Sequence, residues 1–273
     1  MMQKDLLIIV RGGGDMATAV IHKLWRAGFR VLVLETDKPA AIRRQVAVSE
    51  AVYDGSATVE GMTAVRIDSP SQCEAVWARD EVPLLVDPQG ACIESLAPAV
   101  VVDAIIAKCN LGTTMSMAPM TIALGPGFVA GKDVHAVIET MRGHNLGRII
   151  TSGSAQPNTG VPGKIGGYAA ERVIHASCAG VLHHVREIGD YVNQGETIAV
   201  IKSIDGEHAV SASISGLIRG LIREGFSVPM GFKIADIDPR KEEYQNCFTI
   251  SDKARCIAGS VLELVCMQAM KRA

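Results

Sequence analysis

The run Leu6-Leu7-Ile8-Ile9-Val10 breaks at once into Arg11-Gly12-Gly13-Gly14-Asp15-Met16-Ala17, an apolar strand giving way to a glycine loop that opens a helix. Gly12, Gly14 and Ala17 fit the G-x-G-x-x-G/A spacing. In that pattern the first glycine makes a tight turn, the second admits a phosphate to the backbone, and the third small residue seats helix on strand. Ala17, Val20, Ile21 and Leu24 recur at helical spacing, and Gly28 stands where a left-handed residue would end the helix. Val31-Leu32-Val33-Leu34 then predicts a second strand ending on Glu35, about 20 residues past the loop, where an acid would hold a ribose hydroxyl. Together these features predict a Rossmann-like α/β domain with a parallel sheet, and make Gly12, Gly13, Gly14 and Glu35 candidate nucleotide ligands. Asp15 has two readings, as part of the ligand loop or as a first-turn acid at the positive helix end that a pyrophosphate would also need.

Length and composition bound what surrounds this element. A chain of 273 residues fits two or three domains and has ample length to bury a core. Net charge is −2 with no basic run, so nothing advertises nucleic acid or an anionic membrane. The leading apolar run is five residues, too short for a membrane span or a signal-peptide core, and the expected compartment is the cytoplasm. Seven cysteines stand singly at 73, 92, 109, 178, 247, 256 and 266. They make neither a disulfide framework nor a C-x-x-C pair, and no metal site is predicted. Aromatic residues are 4% against 27 glycines, a composition that builds turns and main-chain sites.

Beyond Glu35, Thr36-Asp37-Lys38-Pro39 leads to Arg43-Arg44, whose forked donors suit phosphate, although adjacent arginines point to different sides of a regular element. Val82-Pro83-Leu84-Leu85-Val86 predicts a buried strand delivering Asp87, and Val100 to Lys108 is another strand candidate, carrying Asp103 and running to Lys108. Glu35, Asp87 and Asp103 are expected on one sheet edge, with helix capping as the alternative role for the acids. Leu124-Gly125-Pro126-Gly127-Phe128 then packs two glycines and a proline into one bend, and Glu139-Thr140-Met141-Arg142-Gly143-His144 follows with Arg148 close behind. Ile149 to Lys164, which includes Val161 and Pro162, is rich in Gly, Pro, Ser and Asn and reads as irregular loop. Gly125, Gly127, Arg142, His144, Arg148 and Lys164 are therefore candidate anion ligands. Against this stands the reading in which the arginines brace loops through carbonyls and His144 is structural.

Shifting the chain by 36 residues lays Gly180 on Gly216, Gly189 on Gly225, Val192 on Val228, Gly195 on Gly231, Ile198 on Ile234 and Ile201 on Ile237. Each copy reads as strand, turn, strand. Over 173–240 this resembles the biotinyl/lipoyl-like barrel-sandwich family. The hairpin between the copies is Ser203-Ile204-Asp205-Gly206-Glu207-His208, without the lysine that carriers modify, and Lys202 lies before the turn. His183 and His184 are neighbours and face opposite sides of a strand, which argues against a shared metal. Ser251 is placed to cap a closing helix with Ile257, Val261, Leu264, Val265 and Gln268 on one face, Asp252 at its start and Lys271-Arg272 at its end.

Several motifs taken together resemble the YqeB family of selenium-dependent molybdenum hydroxylase maturation proteins. They are Arg11 to Thr18, Pro39 with Arg43-Arg44, Leu124 to Phe128, Glu139 to His144, Asp236-Ile237-Asp238-Pro239-Arg240 and Ile250-Ser251-Asp252-Lys253-Ala254-Arg255. The resemblance implies an accessory factor that prepares or inserts a selenium-bearing molybdenum cofactor, binding a molybdopterin dinucleotide or similar ligand. Its partners would be the hydroxylase and the other maturation proteins, and a homo-oligomer is left open. Two other classes compete. An NAD-dependent oxidoreductase is favoured by Gly12, Gly14, Ala17 and Glu35, and disfavoured by Asp15 and the lack of a hydride-transfer acid or base. A swinging-arm carrier is disfavoured by the lysine-free hairpin. The expected organisation is a Rossmann-like domain over 1–110, a glycine-rich segment packing on it over 111–172, a β-rich barrel-sandwich hybrid over 173–240 and a closing helix over 241–273.

Overall fold

The computed structural model describes residues 6–160 and 163–271; Val161, Pro162 and Arg272 lie outside the described residues. The chain forms two compact units, one of Met1–Pro39, Ala47–Asn158 and Ile250–Ala273, the other of Ala40–Val46 and Thr159–Thr249.

The first unit is built on a nine-stranded sheet, in chain order β1 (Leu7–Arg11), β2 (Arg30–Glu35), β3 (Ser56–Val59), β4 (Met62–Ile67), β5 (Val82–Val86), β6 (Val100–Asp103), β7 (Met120–Leu124), β8 (Ala136–Ile138) and β9 (Ile149–Ile150). Their order across the sheet is β3-β4-β5-β2-β1-β6-β7-β8-β9. From β4 to β8 every neighbouring pair is parallel, and the edge strands β3 and β9 run antiparallel. Strands buried on both faces need continuous apolar runs, and Ile8, Ile9 and Val10 of β1 are fully buried, as are Val100, Val101 and Val102 of β6. Helix α1 (Asp15–Arg26) buries Ala17, Val20, Ile21 and Leu24, the expected face, and Gly28 follows it with φ +83°. Short helices α2 (Ala51–Asp54), α3 (Cys73–Trp77) and α4 (Cys92–Leu96) fill the connections.

The central segment expected as glycine-rich loop supplies three strands of this sheet. Met120–Leu124 lies beside β6, and Ala136–Ile138 and Ile149–Ile150 extend the edge. These strands are short and set among turn residues, so the composition of the whole stretch masked them. Helix α5 (Asp252–Met270) also belongs to the first unit. The Ser251 hydroxyl accepts from the Ala254 amide (3.2 Å), and Ile257, Val261, Leu264, Val265 and Gln268 are buried as the periodicity requires.

In the second unit the repeat governs the pairing. Its strands are β10 (Val173–His175), β11 (Gly180–His184), β12 (Tyr191–Val192), β13 (Thr197–Ser203), β14 (Gly206–Ser211), β15 (Gly216–Leu221), β16 (Ser227–Val228) and β17 (Lys233–Asp238). They form two four-stranded sheets, β14-β13-β11-β16 and β10-β17-β15-β12. Exchanging β10 with β14, β11 with β15, β12 with β16 and β13 with β17 turns one sheet into the other. Each copy lends its short strand to the other, since β12 pairs with β15 and β16 with β11. The hydrogen bonds follow the same shift. Gly189 N donates to Ile218 O and Gly225 N to Leu182 O, both at 2.8 Å, while Gly195 N donates to Ala212 O and Gly231 N to Ala176 O, also at 2.8 Å. One apolar core joins the copies, with Leu182, Ile198 and Ile201 from one and Ile218, Ile234 and Ile237 from the other.

Candidate functional site

Because β1, β2, β5, β6, β7 and β8 are parallel, the segments that follow them share one edge of the sheet. Those segments contain Gly12 to Asp15, Thr36, Asp87, Asp103 to Lys108, Gly125 to Gly127 and Glu139 to Arg142. The chain passes from β1 to β2 on one side and later enters β6 on the other. The order therefore reverses between β1 and β6, the position at which open α/β sheets form a ligand crevice.

The glycine loop at this reversal is held from every side. Gly12 has φ +100°, and a Cβ there would stand 3.0 Å from the Ala104 carbonyl oxygen. Gly13 N donates to Glu35 Oε1 (2.7 Å), and Gly13 O accepts from Ser49 N (2.9 Å) and the Thr18 hydroxyl (3.1 Å). A Cβ on Gly13 would meet Ser49 N at 3.0 Å. Gly14 differs. It is the N-cap of α1 in extended conformation (φ −69°), without a side-chain cap, and a Cβ there would meet nothing within 4 Å.

Under the loop lies a buried charge network. Arg11, 2% exposed, donates to Thr113 Oγ1 (2.5 Å) and Pro88 O (2.9 Å); Thr113 donates to Asp103 Oδ2 (2.6 Å). Burial pushes the Asp103 carboxyl above the usual range, against the opposing Thr113 hydrogen bond, Ile105 amide and Arg11 charge. One guanidinium thus ties the end of β1 to the segments after β5 and β6. The segment after β6 is strained: Ile106 and Lys108 have φ +59° and +62°, a conformation that costs about 1–3 kcal/mol per residue. Gly127, at φ +108°, lies against it, and a Cβ there would fall 2.7 Å from the backbone of Cys109.

The structure sorts the remaining candidate residues. Glu35 sits at the end of β2 as expected, but its two oxygens accept from the Gly13 and Thr36 amides, both at 2.7 Å, so it buttresses the loop. Burial raises its carboxyl, opposed by those two amides. Asp87 caps the first turn of α4 through the Ala91 and Cys92 amides (2.9 Å each). Burial and this carboxylate push the Cys92 thiol up to about 12. Gly125, at φ +77°, turns against Thr140. Arg142, expected on a ligand, makes a two-pronged pair with Asp252 at 2.9 and 2.7 Å. His144 and Arg148 are exposed on the connection to β9. Arg43 and Arg44, which follow β2 in sequence, belong to the second unit. There the Arg43 guanidinium donates to the carbonyls of Asn246 (2.9 Å) and Thr249 (3.0 Å), and Arg44 Nε to Leu221 O (2.7 Å). Lys164 is also in the second unit and contributes to the field around Glu171.

Sequence reading missed four contributors to this edge. Thr113 carries no motif, and an Asx turn at Asn110 places it: the Asn110 carboxamide oxygen accepts from the Gly112 and Thr113 amides, both at 2.8 Å. Thr18 and Ser49 are small polar residues inside apolar surroundings, where only the fold reveals what they touch. Lys253 stood inside the Ile250 to Arg255 motif without a role of its own. Among the described residues no three His, Cys, Asp or Glu side chains gather as a metal centre, and no helix is long and apolar enough to cross a membrane.

No protein-family model matches the chain. It is 51% identical over 261 residues to "Uncharacterized protein YqeB" of Escherichia coli (strain K12), an alignment taking in 96% of this chain and 47% of that one. The chain thus spans about half the length of the curated relative it matches, and the identity supports the YqeB family. Among solved structures, the apo ectoine utilization protein EutE (DoeB) from Ruegeria pomeroyi is 9% identical, with 85% of this chain and 86% of that chain covered and a TM-score of 0.28. An aspartoacylase family protein from Mesorhizobium loti is 10% identical, with 86% and 85% covered and a TM-score of 0.27. Superpositions that loose carry no argument about this chain.

Proposed function

We propose that the chain is part of an accessory factor for a selenium-dependent molybdenum hydroxylase, acting with the hydroxylase and its other maturation proteins in the cytoplasm. In this reading the crevice between β1 and β6 receives a nucleotide-like ligand, a molybdopterin dinucleotide in that setting. One observation carries it: Gly14 stands at the uncapped N-terminus of α1 with neither a backbone angle nor a neighbour that calls for glycine. Space in front of helix amides is where a phosphate approaches the backbone. We further read the paired sheets of the second unit as a barrel-sandwich hybrid without covalent modification, since the hairpin tip Ser203-Ile204-Asp205-Gly206 lacks lysine and Lys202 pairs with Glu207 (3.5 Å).

The NAD-dependent alternative keeps one point in its favour, the reversal between β1 and β6 with an acid, Glu35, at the end of β2, against which stands the engagement of both its oxygens by the Gly13 and Thr36 amides. Calorimetric titration with NAD and with nucleoside diphosphates, alongside pterin and metal analysis of the protein purified from selenium-replete cells, separates the two. Co-purifying pterin with weak NAD binding is the expected result. Tight NAD binding without pterin would overturn the reading.

A further inference from the structure

We propose that Lys253 supplies the cationic contact to the phosphates of a nucleoside-diphosphate ligand seated at the Gly12 to Asp15 loop; this rests on the nucleotide reading above. Lys253 lies in the first turn of the 19-residue helix α5, partly buried, within the field of Arg142, Asp15, Glu139 and Asp252. Three of these neighbours are already engaged. Arg142 and Asp252 hold each other through two hydrogen bonds, and Glu139 spends its oxygens on the Met141 (2.7 Å) and Gln156 (2.8 Å) amides. The ammonium makes no hydrogen bond or ion pair among the described residues.

Charge explains why a cation is needed here. Asp15 is the first residue of α1, so an anion approaching the Gly14 amide side meets a carboxylate before it meets the helix dipole. Lys253 stands among the same charges, and a phosphate would bring it the direct partner that the protein does not. Burial, with help from Arg142, pulls the ammonium below the ordinary lysine range, while Asp15, Glu139 and Asp252 hold it up. A second observation points to the same loop. Ser49 is 0% exposed and its hydroxyl has no hydrogen-bond partner among the described residues, although its backbone lies against Gly13 and a Cβ on Gly13 would stand 3.3 Å from the Ser49 Cβ. A buried hydroxyl without a partner, directly behind the loop, marks an incompletely satisfied polar site.

The test is calorimetric titration of the full chain with ADP and with inorganic pyrophosphate, comparing the protein with Lys253→Gln and Lys253→Arg at low and high salt. Loss of one charge-assisted contact predicts about tenfold to a hundredfold weaker binding for Lys253→Gln, a shallower salt dependence, and recovery to within a few fold for Lys253→Arg. Thermal unfolding of both variants keeps a folding defect separate, because a first-turn side chain on α5 has little to lose. Binding of ADP and pyrophosphate that Lys253→Gln leaves unchanged would overturn the assignment and spare the nucleotide reading. Absence of binding by the unaltered protein would overturn both.

Discussion

Gly180 and Gly216, equivalent positions in the two copies of the repeat, stand where a methyl group would strike backbone. At Gly180 it would meet the Lys202 carbonyl and Ile201 Cγ2 (2.7 Å), and at Gly216 the Asp238 carbonyl and Ile237 Cγ2 (2.9 Å). Gly14, at the mouth of the crevice in the other unit, meets nothing. The first two are glycines because a carbonyl of the paired strand lies where a Cβ would stand, which the fold accounts for completely. The third has a backbone angle open to any residue and room for a Cβ, so nothing among the described residues calls for glycine there.

Adding a methyl at either of these two glycines breaks the first side of this comparison. Gly180→Ala and Gly216→Ala should each destabilise the second unit by about 3 kcal/mol or more, at the upper end of overpacking, because the obstacle is a carbonyl on a neighbouring strand. Equal losses from the two variants in urea denaturation would confirm that the copies are mechanically equivalent. A loss confined to one would show that the symmetry of the pairing does not extend to its energetics.

The copies do differ at their ends, and acid should expose it. Where the first copy has solvent-exposed Lys202, the second has Asp238, 1% exposed, held by Arg240 (2.8 and 2.9 Å) and facing Arg219 (3.5 Å). Burial alone would raise this carboxyl, but the Arg240 hydrogen bonds and the two guanidinium charges outweigh it and hold it below the usual range. A depressed carboxylate stabilises the fold above its unfolded value, about 3.9, and that contribution is lost as pH falls through the lower folded value. Asp238→Asn should therefore cost about 2 kcal/mol at neutral pH, discounted for the partly exposed Arg240, and flatten stability against pH below about 4. An acid limb unchanged by the substitution would place the titration elsewhere.

Arg142 sharpens the comparison on the crevice side. Its pair with Asp252 is solvent-exposed, so Arg142→Ala should change stability by no more than about 0.5 kcal/mol. It should also leave nucleotide affinity within a few fold, since the guanidinium is engaged on α5. A large affinity loss in titration would mean that the pair opens to admit the ligand.

What could be read from the sequence was whatever local chemistry enforces. The strand, loop and helix over Leu6 to Arg26 were legible because apolar periodicity and the loop glycines act within a few residues, and the repeat because Gly180 and Gly216 must recur wherever the same close strand pairing recurs. The ligand roles drawn for Arg43, Arg44 and Arg142 were not secured by residue type, because a guanidinium serves a carbonyl or a carboxylate as readily as a phosphate. Which partner wins depends on where Asn246, Thr249 and Asp252 arrive, 110 residues or more away. The strands at Met120–Leu124 and Ala136–Ile138 were hidden for a related reason. They are made by pairing with β6 and with each other, a contact that composition does not carry.

The smallest expected change in stability is the most informative about the crevice. Gly14 occupies the N-cap of α1 with φ −69° and ψ −177°, the conformation in which serine places its hydroxyl over the amides of the first turn. No atom stands in the way of that side chain. If folding alone had chosen the residue, serine would be the better choice, and Gly14→Ser should raise stability by about 0.3 kcal/mol, the small margin between serine and glycine caps. The same hydroxyl would occupy the space and the amides that a phosphate needs, so ADP affinity should fall at least tenfold while the melting temperature holds or rises. Opposite movement of the two readouts in one variant identifies a glycine kept for a ligand. A variant that is more stable and binds equally well would make the loop a turn from strand to helix and nothing more.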